Sequence, residues 1–194
     1  MPGLIAVTMM IIASMLSSLT IAREWENGTM EQLLSTPVRP RELVLGKLLA
    51  YFALGMVDIF ISLIVGIFIF QVPFRGNVFF LLFSCCLFLV GALSWGIFIS
   101  ASARTQLQAY QMGMLSSFLP GYMLSGFVYA IREMPKAIQV ISYLVPARYF
   151  VTILNGVFLK GVGFGVLWFA TSMLAGYAAL VFFAASRKMR LKVA

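Results

Sequence analysis

"REWENGTMEQLLSTPVRPRELVLGK", residues 23–47, holds four of the chain's six acidic residues: Glu24, Glu26, Glu31 and Glu42. Apolar runs lie on both sides of it. Asn27-Gly28 is a helix stop signal. Thr29 then stands three residues before Gln32, the spacing of a capping box, and Pro37 closes the stretch. The pattern predicts a short amphipathic helix, about Met30 to Thr36, within an element covering 24–36. Met30, Leu33 and Leu34 share one face, and Glu24 and Glu31 fall on the other if the preceding turn stays helical. Pro40 suits the first turn of the next helix, and Arg41 and Lys47 mark the headgroup level. Such an element can carry force from a docked partner, its acidic face meeting basic groups and its apolar face packing on neighbouring helices. The competing reading is a solvated loop with one chance turn of helix. Break, cap and length agree with each other, which favours a built element.

Composition sets the surroundings. Of 194 residues 62% are hydrophobic and 10% charged, and the mean hydropathy is +1.01. Soluble domains carry about 25% charged residues, so the chain reads as a membrane protein. The net charge of +8 comes from fourteen Lys and Arg. They sit at the ends of apolar runs rather than along one stripe, which favours lipid headgroups over nucleic acid. Histidine is absent and the only cysteines, Cys85 and Cys86, are adjacent in an apolar run. That excludes an ordinary disulfide framework and leaves no visible metal ligand set. Neither general acid–base nor metal-dependent hydrolysis has a plausible set of residues.

Five runs are long enough to cross a bilayer as helices: roughly 2–22, 43–70, 78–103, 108–130 and 164–186. The first begins at once, with no basic leader region, as if a preceding helix were missing. A sixth stretch, 137–159, is interrupted by Pro146 and Arg148. Loop charge arbitrates. If that stretch dips in without crossing, one side collects Arg23, Arg39, Arg41, Lys47, Arg104, Arg187, Lys188, Arg190 and Lys192. The other side keeps Arg75, Arg132, Lys136, Arg148 and Lys160. If it crosses, the asymmetry vanishes and Arg148 is stranded in hydrocarbon, at about 2.5–3.5 kcal/mol. The re-entrant reading places the 23–47 loop and the C-terminus in the cytoplasm. Segment 131–163 then lies outside, as a short interfacial helix from Pro135, a break at Pro146 and a second helix over 147–159. It is either an external gate or a packed cap with no moving part. The fold class is therefore an all-α polytopic membrane protein: five transmembrane helices, a cytoplasmic helix and an external re-entrant hairpin.

Asp58 is the only acid inside a predicted span. It either faces a cationic substrate or a watery path, or bonds to a neighbouring helix or stays protonated. No Lys, Arg or His lies within the other spans to complete a proton relay. Ala92, Gly96 and Ser100 recur every four residues on the third span, and Gly121 and Ser125 on the fourth, which is a close-packing pattern. Pro120 is placed to kink the fourth span and Gly113 to loosen it.

The stretch "REWENGTMEQLLSTPVRPRELVLGKLLAY" closely resembles the signature cytoplasmic loop of ABC-2 type transporter permeases. About one hundred residues on, "LPGYMLSGFVYAIREMPKAIQVISYLVPARYFVTILNGVFLKG" looks like the C-terminal pattern of that family. The resemblance covers almost the whole chain. It implies a six-helix domain that pairs with a second copy or homologue and rests on two ATP-hydrolysing subunits. The first cytoplasmic loop is then the coupling helix, with Glu24, Glu26, Thr29, Glu31, Leu33 and Leu34 as the docking residues. ATP and magnesium are expected in the partner subunit, because no G-x-x-x-x-G-K-[ST] loop exists here: Gly46-Lys47 is followed by Leu48. The family also implies an N-terminal helix, and often an external domain, before the point where this chain begins. The expected role is a permease subunit exporting a hydrophobic or amphipathic substrate across the inner membrane, with no nucleic-acid partner. The rivals are an ion-coupled carrier or channel centred on Asp58 and a non-transporting membrane scaffold.

Overall fold

The computed structural model describes residues 2–36, 39–71, 76–129 and 131–193. Regular structure among them is entirely helical. The long helices are α1 (Pro2–Glu26), α3 (Pro40–Ile64, prolonged by a π turn Val65–Ile69), α4 (Val78–Ser102), α5 (Gln106–Met123) and α8 (Phe164–Val193). The short ones are α2 (Thr29–Leu34), α6 (Lys136–Ser142) and α7 (Pro146–Asn155, prolonged by a π turn Gly156–Lys160).

Local chemistry explains the starts. The Asn77 side chain accepts from the Phe79 amide at 2.8 Å ahead of α4, and Thr105 Oγ1 accepts from the Gln108 amide at 3.2 Å ahead of α5. Both satisfy amides that the helix leaves without partners. Pro40 opens α3, and Glu42 Oε2 reaches back to accept from the Arg39 amide at 3.0 Å. Capping by a glutamate side chain thus occurs at α3, one helix later than the Thr29/Gln32 spacing predicts. At α2 the cap is Gly28, with φ 73°, and no side chain caps the turn. The Thr29 hydroxyl instead donates to the Glu24 carbonyl at 3.3 Å.

Among the described residues four helical stretches are long and apolar enough to cross a bilayer: Gly3–Glu26, Glu42–Ile69, Val78–Ser102 and Phe164–Met189. A fifth is added if α6 and α7, bent by 86° to each other, count as one span. The expected run 108–130 differs. Its helix ends at Met123, and 18 residues at about 1.5 Å each reach roughly 27 Å, just short of a hydrocarbon core. Gln106, Gln108 and Gln111 further lower its apolarity, and beyond it the chain bends through Gly126 at φ 82°.

α4 is the central helix, packed by α1 and α8 along their lengths and by α3 and α5 on its flanks. Gly96 is the closest approach: a Cβ there would collide with Ser17 Oγ and the Ser14 carbonyl of α1. One turn on, Ser100 Oγ accepts from the Ile21 and Ala22 amides, both at 2.9 Å. On α5, a Cβ at Gly113 would lie 2.6 Å from Ser18 Oγ. Gly113 is therefore a packing point against α1, not a loosened joint. Trp95 Nε1 donates to Ser116 Oγ at 3.1 Å and ties α4 to α5. By contrast, α3 is an edge helix: 11% of its apolar window is buried, against 56% for α1.

The core divides by height. At one end, Ile21, Met30, Val44, Leu48, Ile97, Ala101, Ala185 and Met189 bring together α2 with the ends of α1, α3, α4 and α8. At the other end, α7 supplies Phe150, Ile153 and Leu154 to a larger cluster with Met9 of α1, Phe88 of α4 and Leu167 of α8. Arg23, Lys47, Arg104, Arg187 and Lys188 thus collect at the α2 end, as the loop-charge argument requires.

Candidate functional site

α1 stays helical through Glu26, and the α1–α2 corner that follows is fixed by side-chain contacts of Met30, Glu24 and Glu26 beside the Thr29–Glu24 bond. Met30 is fully buried in the cluster just described, so α2 is pinned by its apolar face. Glu24 pairs with Lys47 of α3 at 2.6 Å, both side chains largely covered. Glu26 Oε2 accepts from the Gln106 amide at 2.6 Å, a carboxylate on the N-terminus of α5, where negative charge is worth about 0.3–1 kcal/mol.

These contacts divide the expected docking residues. Glu24 and Glu26 do not form a free acidic face with Glu31; they are tethers from α1 to α3 and α5. Glu31 and Gln32 are exposed, Leu33 is half-buried, and the Leu34 side chain lies outside the described residues, as do Pro37 and the Arg41 side chain. The helix itself stops at Leu34, with Ser35 as C-cap, short of the expected Thr36. Sequence reasoning put Met30 on the correct face without making it the anchor. It treated Lys47 as a headgroup marker and overlooked Gln106, because their partners lie 23 and 80 residues away.

At the opposite end, α6 and α7 form an elbow. Pro135 precedes α6 in an extended conformation, and Pro146 is the buried first residue of α7. Arg148 closes the corner. Its Nη1 donates to the Gln139 carbonyl at 3.2 Å and to Ser142 Oγ, and its guanidinium lies 3.8 Å from the centroid of the Tyr143 ring. The neighbouring Tyr149 hydroxyl donates to the Tyr143 carbonyl at 2.8 Å. A fixed planar fork can serve a carbonyl, a hydroxyl and a ring at once. Past the corner α7 enters the bundle, where Phe150 stacks on Phe88 with centroids 4.1 Å apart. The outer arm is different: Ile138, Val140, Ile141 and Leu144 are all exposed.

Asp58 lies between these ends, 16 residues into the Glu42–Ile69 stretch and 11 from its far limit (58 − 42 and 69 − 58). It is half-buried and lines a cavity of about 170 Å³ together with Tyr51 of α3, Met9 and Ala13 of α1, and Leu89 and Leu93 of α4. Gly55, one turn from Tyr51, lets α3 approach α4: a Cβ there would sit 2.8 Å from Leu89. Among the described residues no side chain donates a hydrogen bond to Asp58 and none forms an ion pair with it.

Residues 1–159, from α1 to the π turn after α7, match the family described as "ABC-2 type transporter". The chain belongs to the ABC-2 type transporter family. It is 45% identical over 160 residues to the probable multidrug ABC transporter permease YbhS of Escherichia coli K12, across 82% of this chain and 42% of that protein. The probable multidrug ABC transporter permease YbhR of the same organism is 30% identical over 167 residues, across 86% of this chain and 45% of YbhR. ABC transporter G family member 20 of Dictyostelium discoideum is 27% identical over 187 residues, across 95% of this chain and 25% of that protein. The chain thus spans less than half the length of these ABC-2 relatives. The corner, the cavity and the elbow all fall inside the family match.

Proposed function

We propose that the chain is the permease part of an ATP-driven ABC-2 exporter in a bacterial inner membrane. The observation that carries this reading is the α1–α2 corner. A helix of six residues is anchored by Met30 among the ends of α1, α3, α4 and α8, beside the Glu24–Lys47 and Glu26–Gln106 ties of α1, and it presents Glu31 and Gln32 outward. A push on α2 is therefore passed to α1 and, through the Met30 cluster, to the ends of α3, α4 and α8. In this reading ATP and magnesium are bound by a separate ATPase subunit that docks at α2. A second permease copy or homologue completes the pathway, and annular lipids surround the bundle. The basic ends gathered around α2 support a cytoplasmic location for that end and for the C-terminus. The elbow is then external, with its exposed apolar arm at the lipid interface.

The substrate is hydrophobic or amphipathic and Asp58 lies on its route. YbhS and YbhR carry the description "multidrug", which agrees with an apolar path. The cavity favours binding over ion relay, because no second carboxylate, Lys or Arg lines it. The test is Glu31→Lys in the full-length complex with its ATPase subunit, reconstituted in lipid. Insertion should be unchanged, and the ATPase rate should fall to that of the isolated ATPase subunit. Undiminished coupling would reject docking at α2.

A further inference from the structure

We infer that the Asp58 cavity is a binding site for the head group of a lipophilic monovalent organic cation, lying between α1, α3 and α4. The inference deepens the export reading by naming its substrate class. Its basis is the mismatch between one carboxylate and everything around it.

An acidic side chain at the middle of an apolar helix costs about 2.5–3.5 kcal/mol on the insertion scale, so a retained one needs a compensating partner. Among the described residues of this chain none is within reach: the ion pair there is Lys47 with Glu24, and no side-chain donor reaches Asp58. Apart from Gly55, the rest of the lining is aliphatic side chains of α1, α3 and α4 together with Met9 and Tyr51. Aromatic faces attract ammonium groups, and the flexible methionine side chain adapts to irregular ligands.

The lining also excludes other ligand classes. A divalent metal ion requires six or so oxygen ligands, and one carboxylate with one phenol falls far short. A sugar or peptide would bury many hydrogen-bonding groups against aliphatic walls. A polyamine would leave its further charges without a counter-ion. A single cation with hydrocarbon attached meets every wall.

Size and shape set the rest. Pockets for drug-sized ligands run to roughly 300–1,000 Å³, and this one has about 170 Å³. It therefore holds the charged head while the tail lies outside. The exposed Ile12 and Leu16 of α1 and Leu54 of α3 form an apolar rim along which such a tail can lie. Because α3 is the edge helix, that rim faces away from the α4 core. The ligand is thus an amphiphile with one positive charge, of the alkyltrimethylammonium kind.

The test uses the full-length chain with its ATPase subunit in lipid nanodiscs, without nucleotide. Binding of tritiated decyltrimethylammonium is followed by scintillation proximity, with tritiated decanol as the uncharged probe of similar tail. Saturable binding of the cation is expected. Asp58→Asn should weaken it by about tenfold or more, as loss of one member of a buried charge pair does. Asp58→Glu should retain most of it, and decanol uptake should not change. Ile12→Trp, which narrows the mouth from an exposed rim position and spares the carboxylate, should also weaken the cation. Absence of saturable binding to the unmutated protein, or equal affinity in Asp58→Asn, overturns the inference. If Asp58→Asn fails to assemble, undiminished binding in Ile12→Trp overturns it instead. Binding is read without ATP, so either failure leaves the docking role of Glu31 to its own experiment.

Discussion

At the residue scale, small side chains set how close the helices come. Gly96 lets α4 touch α1 where the Ser14 carbonyl and Ser17 hydroxyl leave no room for a Cβ. Gly96→Ala must push α1 and α4 apart, and overpacking of this kind costs about 1–3 kcal/mol. A thermal melt followed by size-exclusion fluorescence should show a clear drop for Gly96→Ala and no change for Gly176→Ala, which meets nothing within 4 Å. Equal melting of the two variants would remove the packing argument. The repeat Ala92, Gly96, Ser100 made this contact legible in the sequence. The partner did not follow from it: Ser14, Ser17 and Ser18 look like ordinary polar interruptions of an apolar run. Gly113 shows the same limit, because spacing within one helix does not say which neighbour a glycine faces.

At the element scale, α2 and the elbow are two short devices on opposite ends of one bundle. α2 is held chiefly by Met30, and large-to-small substitution at a buried methionine costs about 2–5 kcal/mol. Met30→Ala should release α2 while the bundle survives. Hydrogen exchange should then speed up at residues 29–34 and stay slow in α4. Unchanged protection of α2 would show that other contacts hold it. At the elbow, Arg148→Ala removes the bonds to Gln139 and Ser142 and the contact with Tyr143. Exchange should rise in α6 but not in α7, which the Phe88–Phe150 stack holds independently. Arg148→Lys should rescue little, because an ammonium lacks the planar fork. Protection of α6 equal to that of the unmutated chain would show that Arg148 does not hold the elbow. The elbow was readable because Pro146 and Arg148 both resist a straight apolar helix. The α2 cap was misread at Thr29 because Gly28, with its positive φ, makes a side-chain cap unnecessary.

At the scale of the whole molecule, the polytopic helical architecture follows from composition and run length, which depend on no particular contact. The shorter α5 was hidden, since Leu124, Phe127 and Val128 extend its apolar character past the point where Gly126 turns the chain. The acidic loop posed the harder problem. Like charges clustered in sequence suggest one docking face, yet Glu24 is paired with Lys47 and Glu26 accepts from the α5 N-terminus, in contacts that only the assembled bundle creates. On α2 itself the exposed side chains include Glu31 and Gln32, on a helix that Met30 ties to α1, α3, α4 and α8, and these are the proposed docking residues. That corner is the central claim, and its most direct test is photocrosslinking from position 32 in the full-length protein in cells. The account predicts one ATP-dependent adduct, with the ATPase subunit, and labelling of a Gln32→Cys variant by an impermeant maleimide only in inside-out vesicles. Labelling of that cysteine from the outer face, with no adduct to an ATPase subunit, would contradict it.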